Sequence, residues 1–135
     1  MPVHPLHRDA QSAVFFDATA DGRLLLRKCG SCGHVSEPRT QMCPRCGGTS
    51  LSWTPSAGTG TVVAYGVVNR PAPSGDGGGP ARIPVAIVEV GEGPWLFTQI
   101  VDTDPDDVGV GDRVELTFER PDGGETLPVF RKVRA

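Results

Sequence analysis

A mainly β fold with one short helix is what this sequence predicts: a small four-cysteine ribbon first, then a five-stranded barrel. Three observations predict it. Glycine and proline number 18 and 13 of 135 residues, a density of turn formers that leaves little room for helix. All four cysteines fall in one stretch, "CGSCGHVSEPRTQMCPRCGG", as two Cys-x-x-Cys pairs ten residues apart. From residue 51 onward, apolar runs of strand length recur between turns rich in Gly, Pro and Asp. A chain of this length forms one compact unit or two very small ones, with enough burial for one modest core.

The first element is a helix expected over residues 9–21, "DAQSAVFFDATAD". Asp9 or Ser12 can cap its start, and Gly22 can end it in the left-handed conformation. Val14, Phe15 and Ala18 suit one buried face. Phe16 lies about 100° round the helix from Phe15, so two readings stay open: one broad buried stripe, or an aromatic turned to a partner.

Residues 23–29, "RLLLRKC", read as a strand leading into the first cysteine pair. Cys29, Cys32, Cys43 and Cys46 form C-x2-C-x10-C-x2-C. In a reducing compartment this spacing is that of a tetrahedral zinc site with four thiolate ligands, because two intervening residues let the chain turn so that both sulfurs face one ion. Gly33 and Gly47 follow the second cysteine of each pair, where a positive φ turns backbone N–H groups toward the thiolates. Disulfides, a redox pair and iron in a rubredoxin-like site are the rivals, but "CPRCGGTS" opens no helix of the thioredoxin kind. Four thiolates close the tetrahedron, so the zinc is structural, and His34 is a bystander. Arg27, Lys28 and Arg45 are expected to offset the negative cluster.

The ribbon ends near "LSWT", residues 51–54. Five strands follow: 61–70, 83–90, 95–101, 113–119 and 127–133, with a helical turn fitting "DTDPDDVGVGD" between the third and fourth. That is the order of an OB-fold barrel. The division expected is an N-terminal arm and helix at 1–22, a rubredoxin-like zinc ribbon at 23–54 and an OB-fold domain at 55–135. The Gly- and Pro-rich residues 71–81 link the first two barrel strands, where OB folds often bind ligands.

Composition and failed motifs exclude more than they assign. With 13 Lys and Arg against 16 Asp and Glu, the chain lacks the basic excess of a nucleic-acid binder. Its N-terminus has no signal-peptide core and no run reaches the length of a membrane span, so a cytoplasmic protein is expected. "GTGTVV" runs into a strand and lacks the third glycine of a dinucleotide fingerprint. "DTDPDDVGVGDR" has Asp107 where a calcium loop needs glycine and Arg113 where it needs glutamate. Every cysteine is spent on the metal, and no catalytic triad or open metal position is evident.

Read whole, the chain resembles the zinc-ribbon/OB-fold proteins, formerly a domain of unknown function, that accompany thiolases and related acyl-CoA enzymes. The resemblance is carried by "FFDATADGRLLLRKCGSCG" (15–33), "PR…MCPRCGG" (38–48), "GTGTVVAYGVVNRP" (58–71), "PVAIVEV" (84–90), "VGVGDRVELTFE" (108–119) and "LPVFRKV" (127–133). It implies a non-catalytic subunit of a hetero-oligomer, with two copies of each subunit. The partner would be a thiolase-fold enzyme, including the sterol-carrier-protein-type thiolase or aldolase of steroid side-chain degradation. Acyl-CoA would be met only through the complex, with no nucleic acid and no membrane. A similar domain is joined to an enoyl-CoA hydratase in steroid-degrading actinobacteria, so this chain is either free-standing or one domain of such a protein. Phe15 or Phe16 would anchor the partner, and Arg70, Arg82, Arg131, Lys132 and Arg134 are candidates for CoA phosphates. The alternative is a nucleic-acid-binding ribbon and barrel, for which Tyr65, Trp95, Phe97, Phe118 and Phe130 are the aromatics within strands.

Overall fold

The computed structural model describes residues 12–70 and 81–133. Helix α1 spans Ala13–Ala20 and ends one residue before the expected Asp21; expected residues 9–11 lie outside the described residues. Ser12 stands at its N-cap without a side-chain capping bond; Asp9, the other candidate, lies outside the described residues. Its C-terminus closes as expected. Gly22 takes φ +77°, and the N–H groups of Gly22 and Arg23 donate to Thr19 O at 3.0 Å and Ala18 O at 2.9 Å, the paired bonds of a Schellman motif.

The helix is rotated from the face predicted. Phe16, Ala18 and Thr19 are buried and Phe15 half-buried, whereas Val14 is 49% exposed. Thr19 explains the rotation. Its hydroxyl donates to the carbonyl of Thr126, 2.7 Å away in the turn before the last strand, with Phe16 O also within 3.0 Å. That tie centres the buried arc between Phe15 and Thr19 and leaves Val14 at its edge.

The ribbon is a three-stranded antiparallel sheet with β1 (Leu25–Cys29) between β2 (Val35–Ser36) and β3 (Leu51–Pro55). The barrel strands are β4 (Thr59–Arg70), β5 (Ala81–Val90), β6 (Trp95–Val101), β7 (Arg113–Glu119) and β8 (Leu127–Lys132). They close in the order β4-β5-β6-β8-β7. Only β6 and β8 run parallel, with Ile100 opposite Phe130. This is the OB-fold barrel the strand spacing predicts, including a single 3-10 turn at Pro105–Asp107 between the third and fourth barrel strands. Asp104 caps that turn by accepting from the Asp106 N–H at 2.9 Å.

At one point β4 packs on β5 too closely for a side chain. A Cβ at Gly60 would fall 2.5 Å from Val88 Cγ1 and 2.9 Å from Glu89 O, so β4 can approach β5 there only without a side chain. Leu24 and Leu26, at the base of the ribbon, lie in one buried cluster with Val62, Val88, Ile100, Val114 and Phe130 of the barrel. Ribbon base and barrel therefore share a core. Among the described residues no helix is long and apolar enough to cross a membrane.

Candidate metal centre and contact groove

The two cysteine pairs build two copies of one turn. In each, the N–H of the glycine after the second cysteine donates to the carbonyl of the first: Gly33 to Cys29 at 2.9 Å and Gly47 to Cys43 at 2.8 Å. The N–H of the first cysteine donates in turn to His34 O at 2.9 Å or Gly48 O at 2.8 Å. Both glycines have positive φ, +79° and +75°, as the sequence requires. The turns face each other and bring Cys29, Cys32, Cys43 and Cys46 together, all four sulfurs within 4.8 Å of one another.

Cys29 and Cys46 Sγ lie 3.6 Å apart, as do those of Cys32 and Cys43. A tetrahedron with Zn–S bonds of about 2.3 Å has edges of about 3.8 Å, whereas a disulfide needs about 2.05 Å; all four are free thiols. The backbone prepares the anions. N–H groups of Cys32 and Ser31 hold Cys29 down to about 6. Burial pushes Cys43 up, but the N–H groups of Cys46 and Arg45 and the neighbouring thiols outweigh it, so its pKa is lowered. Cys46 goes the other way: the Gly48 N–H draws it down, yet the sulfurs of Cys29, Cys32 and Cys43, together with burial, push it up to about 12. Four thiolates this close cannot all ionise without a cation between them. The donor set, its geometry and its backbone support fit one structural zinc ion held by four thiolates.

Arg27, expected to offset the cluster's charge, is engaged elsewhere. Its guanidinium stacks 4.2 Å above the Trp53 ring, across the β1–β3 ladder where the two residues pair. Both line an open groove of about 1230 Å³ between α1, the ribbon and β6. Phe15, Leu96, Phe97 and Pro128 form much of its apolar wall. Phe15 and Phe16 meet edge to face at 5.3 Å, but they have different roles: Phe15 lines the groove half-buried and Phe16 is only 8% exposed. Phe97 and Trp95, by contrast, are 75% and 58% exposed. Their place on the surface was half legible. The two-residue period of "WLFTQIV" puts Trp95 and Phe97 on one face and Leu96, Thr98 and Ile100 on the other, but it does not say which face is inside.

The cations proposed for CoA are already occupied where their side chains are described. Arg82 Nη2 lies 2.9 Å from Asp106 Oδ1; the pair raises the arginine and lowers the carboxyl. Arg131 pairs with Glu115 at 2.8 Å. Lys132 donates to Asp107 O at 2.7 Å and lies 3.4 Å from Asp112. The Arg70 side chain, Arg134 and loop residues 71–80 lie outside the described residues.

Comparison with known proteins follows this anatomy. The model of the ChsH2 rubredoxin-like zinc ribbon domain matches residues 16–52, and that of the ChsH2 C-terminal OB-fold domain matches residues 53–119. A DUF35 domain-containing scaffold protein of Methanothermobacter thermautotrophicus is 38% identical over 94 residues, 69% of each chain. The chain belongs to the ChsH2/DUF35 family. Against this DUF35 protein, a chain of the solved Ltp2-ChsH2(DUF35) aldolase superposes with a TM-score of 0.78 at 33% identity, covering 93% of this chain and 96% of that one. A DUF35 protein of unknown function from Sulfolobus solfataricus shares the fold, at 14% identity and a TM-score of 0.62. A probable enoyl-CoA hydratase alpha subunit of Thermomonospora curvata is 35% identical over 133 residues, and this chain spans 39% of its length.

Proposed function

We propose that this DUF35 protein is a non-catalytic accessory subunit that docks onto a thiolase-fold acyl-CoA enzyme and supports its chemistry. The observation that carries the reading is its near-full-length likeness to a chain of the solved Ltp2-ChsH2(DUF35) aldolase. The site chemistry agrees with it. Four thiolates saturate a tetrahedral zinc and leave no position for water or substrate, and all four cysteines are in that cluster. The acyl group would be a lipid or steroid side chain handled by the partner, in a hetero-oligomer with two copies of each subunit.

Within this reading α1 and the ribbon supply part of the contact. Phe15 is the side chain offered there, and Phe16 supports it from beneath. A contribution to CoA binding from Arg82, Arg131 or Lys132 would require each to exchange a carboxylate or carbonyl for a phosphate; Arg70 is the fourth candidate. The test is reconstitution. The chain and a thiolase-type subunit should co-elute, and thiolysis or retro-aldol cleavage of acyl-CoA should need both. Turnover by the isolated chain at enzyme-like rates would overturn the proposal.

A further inference from the structure

We infer that the groove between α1, the ribbon and β6 seats an acidic–apolar segment of the partner subunit, with one carboxylate received by Arg27 and the flanking apolar side chains received by Phe97 and Trp95. This rests on the accessory-subunit reading and names the chemistry of the contact.

Two independent features of the groove select that occupant. The first is its exposed apolar wall. Phe97 is three-quarters exposed, and Trp95, whose indole N–H already donates to Glu89 Oε2 at 2.9 Å, has only its ring left to offer. Large aromatics of this kind gain most from burial against a partner's apolar side chains.

The second is charge. Among the described residues Arg27 Nε is buried without a hydrogen-bond partner, and its guanidinium carbon lies over the Trp53 ring, 4.2 Å from the centroid. Among the described residues Arg39 is paired with Glu37 at 3.4 Å, but no ion pair reaches Arg27. A partly desolvated cation with an unsatisfied donor is costly until an anion meets it. The planar fork of arginine fits a carboxylate with two parallel bonds, and the contact with Trp53 holds the guanidinium in the groove. Glu37 and Arg39 also line the groove but pair with each other, which leaves Arg27 as the cation there that no described carboxylate meets.

The experiment uses the full zinc-loaded chain with a photo-crosslinking benzoylphenylalanine at position 97, mixed with the thiolase-type subunit and irradiated. The cross-link should map to a partner peptide with Asp or Glu within one helical turn of Leu, Ile, Phe or Met. In parallel, Phe97→Ala and Arg27→Gln should each weaken partner binding by about tenfold or more, and Arg27→Gln should also flatten its salt dependence, with Arg27→Lys recovering part of both. Zinc content and tryptophan fluorescence establish that each variant is folded. If the parent binds but the cross-link falls on a second copy, on residues 1–11 of the same chain or on a partner peptide without a carboxylate, this inference alone is overturned. Unchanged affinity in both variants overturns it equally. A parent that forms no complex sinks the accessory-subunit reading and this inference with it.

Discussion

Leu26→Ala decides whether the ribbon and the barrel fold as one body. Leu26 is fully buried at 0% exposure and lies in the cluster with Val62, Val88, Val114 and Phe130. Truncating a buried leucine costs about 2.7–5 kcal/mol, more where the walls cannot relax. Five of the ten residues in that cluster are valines from beyond the ribbon, stiff at χ1, so collapse around the cavity is limited and a loss of about 4 kcal/mol is expected. Unfolding entropy for a chain of this length is about 0.3 kcal/mol/K, so the melting temperature should fall by about 13 °C. The chain has two tryptophans, one on each side of the question: Trp53 in ribbon strand β3 and Trp95 in barrel strand β6. Trp95→Phe and Trp53→Phe backgrounds turn each into a sole reporter. With zinc bound, both reporters should unfold at one midpoint, and Leu26→Ala should move both equally. A shift confined to Trp53, or a loss below about 1 kcal/mol, would show that the shared core does not couple the two.

Two further outcomes follow from the fold. Gly60→Ala should cost about 1–3 kcal/mol, the range for forcing a methyl into a filled site, because its Cβ would meet Val88 Cγ1 at 2.5 Å; denaturant titration showing no loss would mean that β4 can move away from β5. Thr19→Val should cost about 1–3 kcal/mol by leaving the Thr126 carbonyl unpaired, and should raise amide exchange across α1; protection equal to the parent would place the helix anchor elsewhere.

What was legible in the sequence depended on how locally each feature is determined. The zinc turns were legible because cysteine spacing and the glycine after each pair act within a few residues. The left-handed Gly22 and the barrel strand order were legible for the same reason: punctuation by turn formers is local. Orientation was not. Val14, expected on the buried face, is exposed, and Phe16 takes the buried one of the two readings left open, because a bond from Thr19 to Thr126, 107 positions away, sets the rotation of α1. The groove was hidden for a stronger version of that reason. Phe15, Arg27, Trp53 and Phe97 come from four elements, and no periodicity within any one of them announces the others. Arg27 is assigned to the metal by proximity in sequence, and alternation along β1 does put it on the face of Cys29; its cross-strand pairing with Trp53 is what holds its guanidinium over that ring and in the groove.

Strand β1 links the staple to the surface. Within four residues it places Leu26 in the barrel core, Arg27 over Trp53 and Cys29 in the metal cluster. The β1–β3 ladder pairs Arg27 with Trp53 and, two residues on, Cys29 with Leu51. A slip of one residue would set Lys28 opposite Trp53 and turn Arg27 to the other face. Leu26, locked in the core, fixes one end of this register, and the cysteine turn fixes the other. The zinc site is therefore positional as well as stabilising: its cysteine turn helps set the register that places Arg27 over Trp53. Stripping the metal under reducing conditions should accordingly weaken partner binding even at temperatures where the Trp95 reporter still shows a folded barrel. Full affinity in the metal-free chain would separate the staple from the contact face and leave Leu26 alone as the element that sets the register.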